Sequence, residues 1–174
     1  MNYAEIKYCD IANGPGVRTS LFVSGCNHKC KGCFNEAAWD FNCGKPFTQE
    51  TIDDIISSLA PDYIQGLTLL GGEPFELVNQ KGLLPLLRQV RSRCPGKDIW
   101  CFTGFLFDKE IVEKMCPVWQ ETNELLSYID VLVDGRFVEE LKNLSLKFKG
   151  SENQRTILVQ ESLKANKIIL YNFD

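Results

Sequence analysis

Residues 24–34 read Ser24-Gly25-Cys26-Asn27-His28-Lys29-Cys30-Lys31-Gly32-Cys33-Phe34, three cysteines within eight positions and one histidine among them. The stretch follows RTSLFV (Arg18 to Val23), a short, partly β-branched run that reads as a strand, so the cysteine loop starts where a strand stops. Two other turn motifs stand in the same relation to a strand. Gly71-Gly72-Glu73-Pro74 follows LTLL (Leu67 to Leu70), and Asp134-Gly135-Arg136-Phe137 follows Val131-Leu132-Val133. In sheets built from βα units the chemistry gathers at the carboxyl ends of the strands, so three such loops predict one shared site on an α/β fold.

The segments between these strands fit that architecture. Thr48, followed by Glu50 and Thr51, can open a helix in which Ile52, Ile55, Ile56 and Leu59 recur at helical spacing. Leu83 to Val90 predicts a second helix with Pro85 near its first turn, where proline is tolerated. Asp98 to Phe102 reads as a strand, Phe107 to Met115 and Glu121 to Tyr128 as helical stretches, and Thr156 to Val159 as a last β-rich segment. Strands separated by helical patterns of roughly 10 to 15 residues predict a mainly parallel sheet. About five or six βα units fall short of the eight in a full barrel, so an open, partial (β/α) barrel is expected, formed by one domain over residues 1–174.

Composition excludes several classes. A chain of 174 residues can bury roughly 70 % of the surface its unfolded form exposes and needs no staples to fold. The formal charge of −4 argues against a nucleic-acid binder that relies on a basic surface. No apolar run approaches the roughly 18 residues of a membrane span. The N-terminal MNYAEIKYCD has no apolar core of the kind a secretion signal carries, so a reducing cytoplasm is the expected compartment. There, clustered cysteines are metal ligands or redox groups before they are disulfides. Cys9, Cys43, Cys94, Cys101 and Cys116 are dispersed and read as buried small hydrophobes or inert thiols.

The spacing C-x3-C-x2-C lets Cys26, Cys30 and Cys33 serve one metal centre, with Gly25 and Gly32 turning the loop. A structural zinc site would need a fourth ligand, and His28, two residues from Cys26 and from Cys30, is closer to both than usual zinc spacings allow. His28 therefore reads as a solvated loop residue. A redox Cys-x-x-Cys pair leaves one thiol unexplained. A 4Fe-4S cubane held by three thiolates explains all three and leaves one iron open to a small molecule.

C-x3-C-x2-C followed by Phe34, together with Gly71-Gly72-Glu73-Pro74, resembles the radical S-adenosylmethionine (SAM) superfamily. Further stretches narrow the resemblance: Asn13 to Cys26, GCFNEAAW (Gly32 to Trp39), TGF (Thr103 to Phe105), DVLVDGRF (Asp130 to Phe137) and GSENQR (Gly150 to Arg155). Together they resemble the activating proteins of anaerobic ribonucleoside-triphosphate reductases, from about Glu5 to Val159. Phe34 departs from the tyrosine frequent in that family and loses only a hydroxyl.

The resemblance implies a cluster on Cys26, Cys30 and Cys33, with SAM flanked by Gly32 and Phe34 and its methionyl end met by Gly71, Gly72 and Glu73. Asp134, Gly135 and Arg136 approach it from another strand end. It implies reductive cleavage of SAM to a 5'-deoxyadenosyl radical that takes hydrogen from a glycine of the reductase large subunit, with electrons from a donor such as flavodoxin or a thiol system. Activation of another glycyl-radical enzyme, a small-molecule radical SAM reaction, and a noncatalytic zinc module are the competing readings. Asn153, Gln154 and Arg155 read equally as partner contacts or a polar turn, and Lys142 to Lys149 as an exposed face.

Overall fold

The structure, a computed structural model, describes residues 1–173. Seven strands form one sheet: β1 (Asn2–Asp10), β2 (Val17–Val23), β3 (Lys45–Pro46), β4 (Ile64–Gly71), β5 (Asp98–Phe102), β6 (Val131–Asp134) and β7 (Arg155–Leu158). Their order across the sheet is β3-β1-β2-β4-β5-β6-β7. The central pairs β2·β4, β4·β5 and β5·β6 are parallel, whereas β1 lies antiparallel to both β2 and β3, and β7 antiparallel to β6. The sheet does not close, and the parallel part comprises four strands, fewer than the five or six βα units expected.

Crossovers carry α1 (Gln49–Leu59) between β2 and β4, and α2 (Leu77–Arg93) between β4 and β5. A π-wound segment, Phe107–Met115, and α3 (Gln120–Tyr128) connect β5 to β6, and α4 (Val159–Ala165) follows β7. Thr48 caps α1 in a reciprocal pair with Thr51, satisfying amides that a helix start leaves open. The same helix buries Ile52, Ile55, Ile56 and Leu59, each such side chain contributing about 1.5–3 kcal/mol of transfer free energy.

Pro85 lies in the interior of α2 and not near its first turn. The helix starts earlier than its apolar periodicity because its first residues are fixed by polar bonds. Asn79 donates from Nδ2 to the Ser24 and Glu73 carbonyls, and Gln80 donates to the Phe75 carbonyl and accepts from the Thr122 hydroxyl.

The two faces of the sheet are covered differently. Leu21, Val23, Leu67, Leu69, Ile99 and Leu132 join the buried residues of the helices in the main core. On the other face Trp100, Val131 and Val133 pack with Phe102, Phe148, Leu158, Tyr171 and Phe173, none of them within a helix. Residues 169–171 also pair along β7, through Leu158 N–H to the Ile169 carbonyl and Tyr171 N–H to the Thr156 carbonyl, and so shield that edge. The opposite edge is the two-residue β3, whose Lys45 and Pro46 discourage further pairing.

Arg18 crosses this second face fully buried. Its guanidinium donates to Thr68 Oγ1 (2.7 Å), to the Pro15 and Leu67 carbonyls and to Asp98 Oδ1 (2.6 Å), and lies over the Trp100 ring at 5.6 Å. One side chain thereby joins β2, β4, β5 and the loop before β2, and the attraction of guanidinium to ring adds to the hydrogen bonds. Arg18→Met should destabilise the fold by about 3 kcal/mol, because Asp98, Thr68 and two carbonyls lose their partner together. Urea unfolding checks this; a loss under about 1 kcal/mol would show that water replaces the guanidinium there.

Candidate functional site

The cysteine loop, GGEP, the Thr103-Gly104 turn and the turn at Gly135 stand at the carboxyl ends of β2, β4, β5 and β6, the four strands of the parallel centre. A cavity of about 430 Å³ opens among them. Cys26, Cys30 and Cys33 line it with Gly32 and Phe34, and Gly71, Gly72, Glu73 and Gly135 form further parts of its wall. Phe34 is 85 % exposed and stands at the rim. Asp134 and Arg136 are not among the lining residues.

Gly71 and Gly72 are required by backbone-to-backbone packing. A Cβ on Gly72 would lie 2.6 Å from the Gly25 carbonyl oxygen, and one on Gly71 would lie 2.7 Å from Phe22 Cα. Hydrogen bonds close the same seam, from Gly72 N–H to the Val23 carbonyl (2.7 Å) and from Glu73 N–H to the Gly25 carbonyl (2.8 Å). The glycine pair fastens GGEP to the start of the cysteine loop.

Glu73 is 1 % exposed, and its carboxylate is enclosed by donors. Oε1 accepts from the Phe75 amide (2.9 Å) and the Thr103 hydroxyl (2.8 Å), and Oε2 accepts from the Gly104 amide (2.8 Å) and His28 Nε2 (2.9 Å). Four bonds fill the acceptor positions of a carboxylate, which offsets the cost of burying its charge.

His28 is not solvated: its side chain is 7 % exposed and lies edge-on to Phe105, with ring centroids 4.3 Å apart. Arg136 Nε, which can only donate, approaches His28 Nδ1 at 3.1 Å. Nδ1 is therefore the acceptor and Nε2–H the donor to Glu73, which leaves neither ring nitrogen free for a metal.

Asp134 is fully buried away from the cavity, bonded by the Phe107 amide (2.7 Å) and by Arg155, which also reaches Asp108 at 2.9 Å. Its Arg155 partner stays charged well above the ordinary guanidinium range, through the Asp134 hydrogen bond first and that of Asp108 in addition. Gln154 and Asn153 donate to the Gly135 and Arg136 carbonyls, so this polar segment braces the turn after β6. The lysine-rich stretch 142–149 is also more than an exposed face, since Lys142, Leu144, Leu146, Phe148 and Lys149 wall one side of the cavity. Thr103 and Gly104 carry no site role in the sequence reading, where their signal is the TGF stretch that follows DIWCF.

Burial pushes the Cys26 thiol up to about 11 and raises that of Cys30 as well. Both are protonated at neutral pH when no metal is bound, and a metal centre must displace those protons. Among the described residues no three His, Cys, Asp or Glu side chains converge to hold a single metal ion. A cubane presents its irons at separate corners, and three soft thiols lining one cavity, with no fourth cysteine among its described lining residues, suit that centre by chemistry.

Residues 12–157 match the family described as a 4Fe-4S single cluster domain, which places the chain among iron–sulfur proteins. The chain belongs to the family of anaerobic ribonucleoside-triphosphate reductase-activating proteins. It is 44 % identical to the member from Escherichia coli K12 over 156 residues, which is 88 % of this chain and 96 % of that one. It is 43 % identical to the member from Enterobacteria phage T4 over 155 residues (89 % and 92 %), and 42 % identical to that from Haemophilus influenzae over 156 (88 % and 96 %). No helix among the described residues is long and apolar enough to cross a membrane.

In cluster-free protein, iodoacetamide should label Cys26 more slowly than the exposed Cys9 at about pH 8. The Cys26 rate should climb about ten-fold per pH unit towards its raised pKa, because only the thiolate reacts. Peptide mass spectrometry reads both rates, and a Cys26 rate that levels off below about pH 9 would contradict the buried, protonated thiol.

Proposed function

We propose that this chain is a radical SAM activase that installs the glycyl radical of an anaerobic ribonucleoside-triphosphate reductase. The observation that carries the reading is one cavity lined both by three thiols and by glycine-rich backbone from the neighbouring strand ends. The open sheet, parallel at its centre with helices packed on one face, supports a partial (β/α) barrel and one domain. Cys26, Cys30 and Cys33 would hold a 4Fe-4S cluster. Held there and reduced by an external donor, such as flavodoxin or a thiol system, such a cluster would supply the electron for cleavage of SAM to methionine and a deoxyadenosyl radical able to take hydrogen from a glycine.

The residues of the chain bind and exclude. Gly32, Phe34, Gly71, Gly72 and Gly135 line the cavity with backbone and one aromatic ring, the surface a bound ligand would meet. Glu73 has no acceptor position free, so its side chain serves the methionyl end indirectly, by fixing the backbone around it. Asp134 likewise acts through the Gly135 turn that it and Arg155 stabilise. Leu70, Phe102 and Phe148 give the cavity an apolar lining that would keep water from a reactive radical.

Anaerobic reconstitution tests the proposal. The expected result is about four irons and four sulfides per chain, SAM cleavage to 5'-deoxyadenosine on dithionite reduction, and a glycyl-radical signal in the reductase. Cys30→Ala should abolish cluster retention and Cys116→Ala should not. One tightly held zinc without SAM cleavage, or a radical raised only in another glycyl-radical enzyme such as pyruvate formate-lyase, would overturn it.

A further inference from the structure

We infer that His28 is a positioning residue: it locks the loop carrying the three thiols to the ends of the other three parallel strands, and so sets the cluster against the site where SAM binds. The inference rests on the function proposed above and deepens it. Each contact of the ring leads to a different strand end. Nε2 donates to Glu73 after β4, Nδ1 accepts from Arg136 after β6, and the ring edge meets Phe105 after β5. Glu73 extends the connection to the Thr103 hydroxyl and the Gly104 amide.

The fit extends to the residue opposite the ring. A Cβ on Gly104 would lie 2.4 Å from His28 Cδ2, closer than any real Cβ contact, so the ring and the missing side chain occupy the same volume. Because His28 lies between Cys26 and Cys30, a shift of its ring moves the metal-binding loop directly. Both ring nitrogens are engaged, so the residue acts on the metal centre only through position.

Two side chains that contest one volume give a non-additive pair of substitutions. His28→Ala should still load about four irons yet weaken SAM binding about ten-fold or more, read from the perturbation that SAM causes in the electron paramagnetic resonance spectrum of the reduced cluster. Gly104→Ala should give a similar loss, because the added methyl expels the ring. In the His28→Ala background the same Gly104→Ala change should cost less than about two-fold, its clash having been removed. His28→Gln, which can donate to Glu73 and accept from Arg136, should return SAM binding to within about three-fold of wild type, which general damage to the fold would not allow. A His28→Ala protein with wild-type spectrum and SAM affinity, or strictly additive losses in the double variant, overturns the inference while leaving the activase assignment standing. A wild-type chain that forms no SAM-responsive cubane overturns both.

Discussion

A carboxylate buried among four donors is the constraint on which the functional end of the molecule depends. Glu73 could not be withdrawn from water to 1 % exposure without full hydrogen bonding, since an uncompensated buried charge costs several kcal/mol. Its compensation comes from one donor of its own loop, two from the turn after β5 and one from the cysteine loop. Satisfying one group therefore fixes three loops. Gly71 and Gly72 then bring the backbones close enough for the Val23 and Gly25 carbonyls to close the seam.

The parallel centre was legible in the sequence because strand and loop alternate there in recognisable units. RTSLFV, LTLL, DIWCF and VLV are short runs that finish on apolar residues, and each is followed by glycine or polar turn residues. The antiparallel flanks were not. β1 is mostly exposed or half-buried, with Glu5, Lys7 and Cys9 facing water, so it has neither a continuous apolar run nor clean alternation. β7 was visible as a β-rich segment, but direction is set by tertiary pairing with β6, which no local pattern encodes. Pro85 was misplaced for a related reason: buried Asn79 and Gln80 extend α2 through side-chain bonds, and hydropathy scores both as surface residues.

Within the site, the spacing of the cysteines and the glycine pair carried the chemistry, and the structure brings those residues to one cavity. Polar residues were harder to assign, because the same atom can serve a ligand or the fold. Glu73 and Asp134 invited the first use, and both have their carboxylates taken up internally. His28 looked solvated in a loop of lysines and is enclosed, since its partners come from positions 45 and 108 residues away.

The second face of the sheet has a consequence for the order in which the protein can be completed during synthesis. Its strands and helices can pack as they emerge, each βα unit against the one before. The aromatic cover over Trp100 needs Tyr171, at 5.3 Å between ring centroids, and Phe173, at 6.4 Å, and both follow every strand in the chain. Until they arrive, Trp100 and the neighbourhood of Arg18 face solvent on one side. A chain ending before residue 170 would thus keep the helical layer and lose two of the aromatic rings over Trp100, leaving apolar surface there for a chaperone or a stray apolar segment to bind.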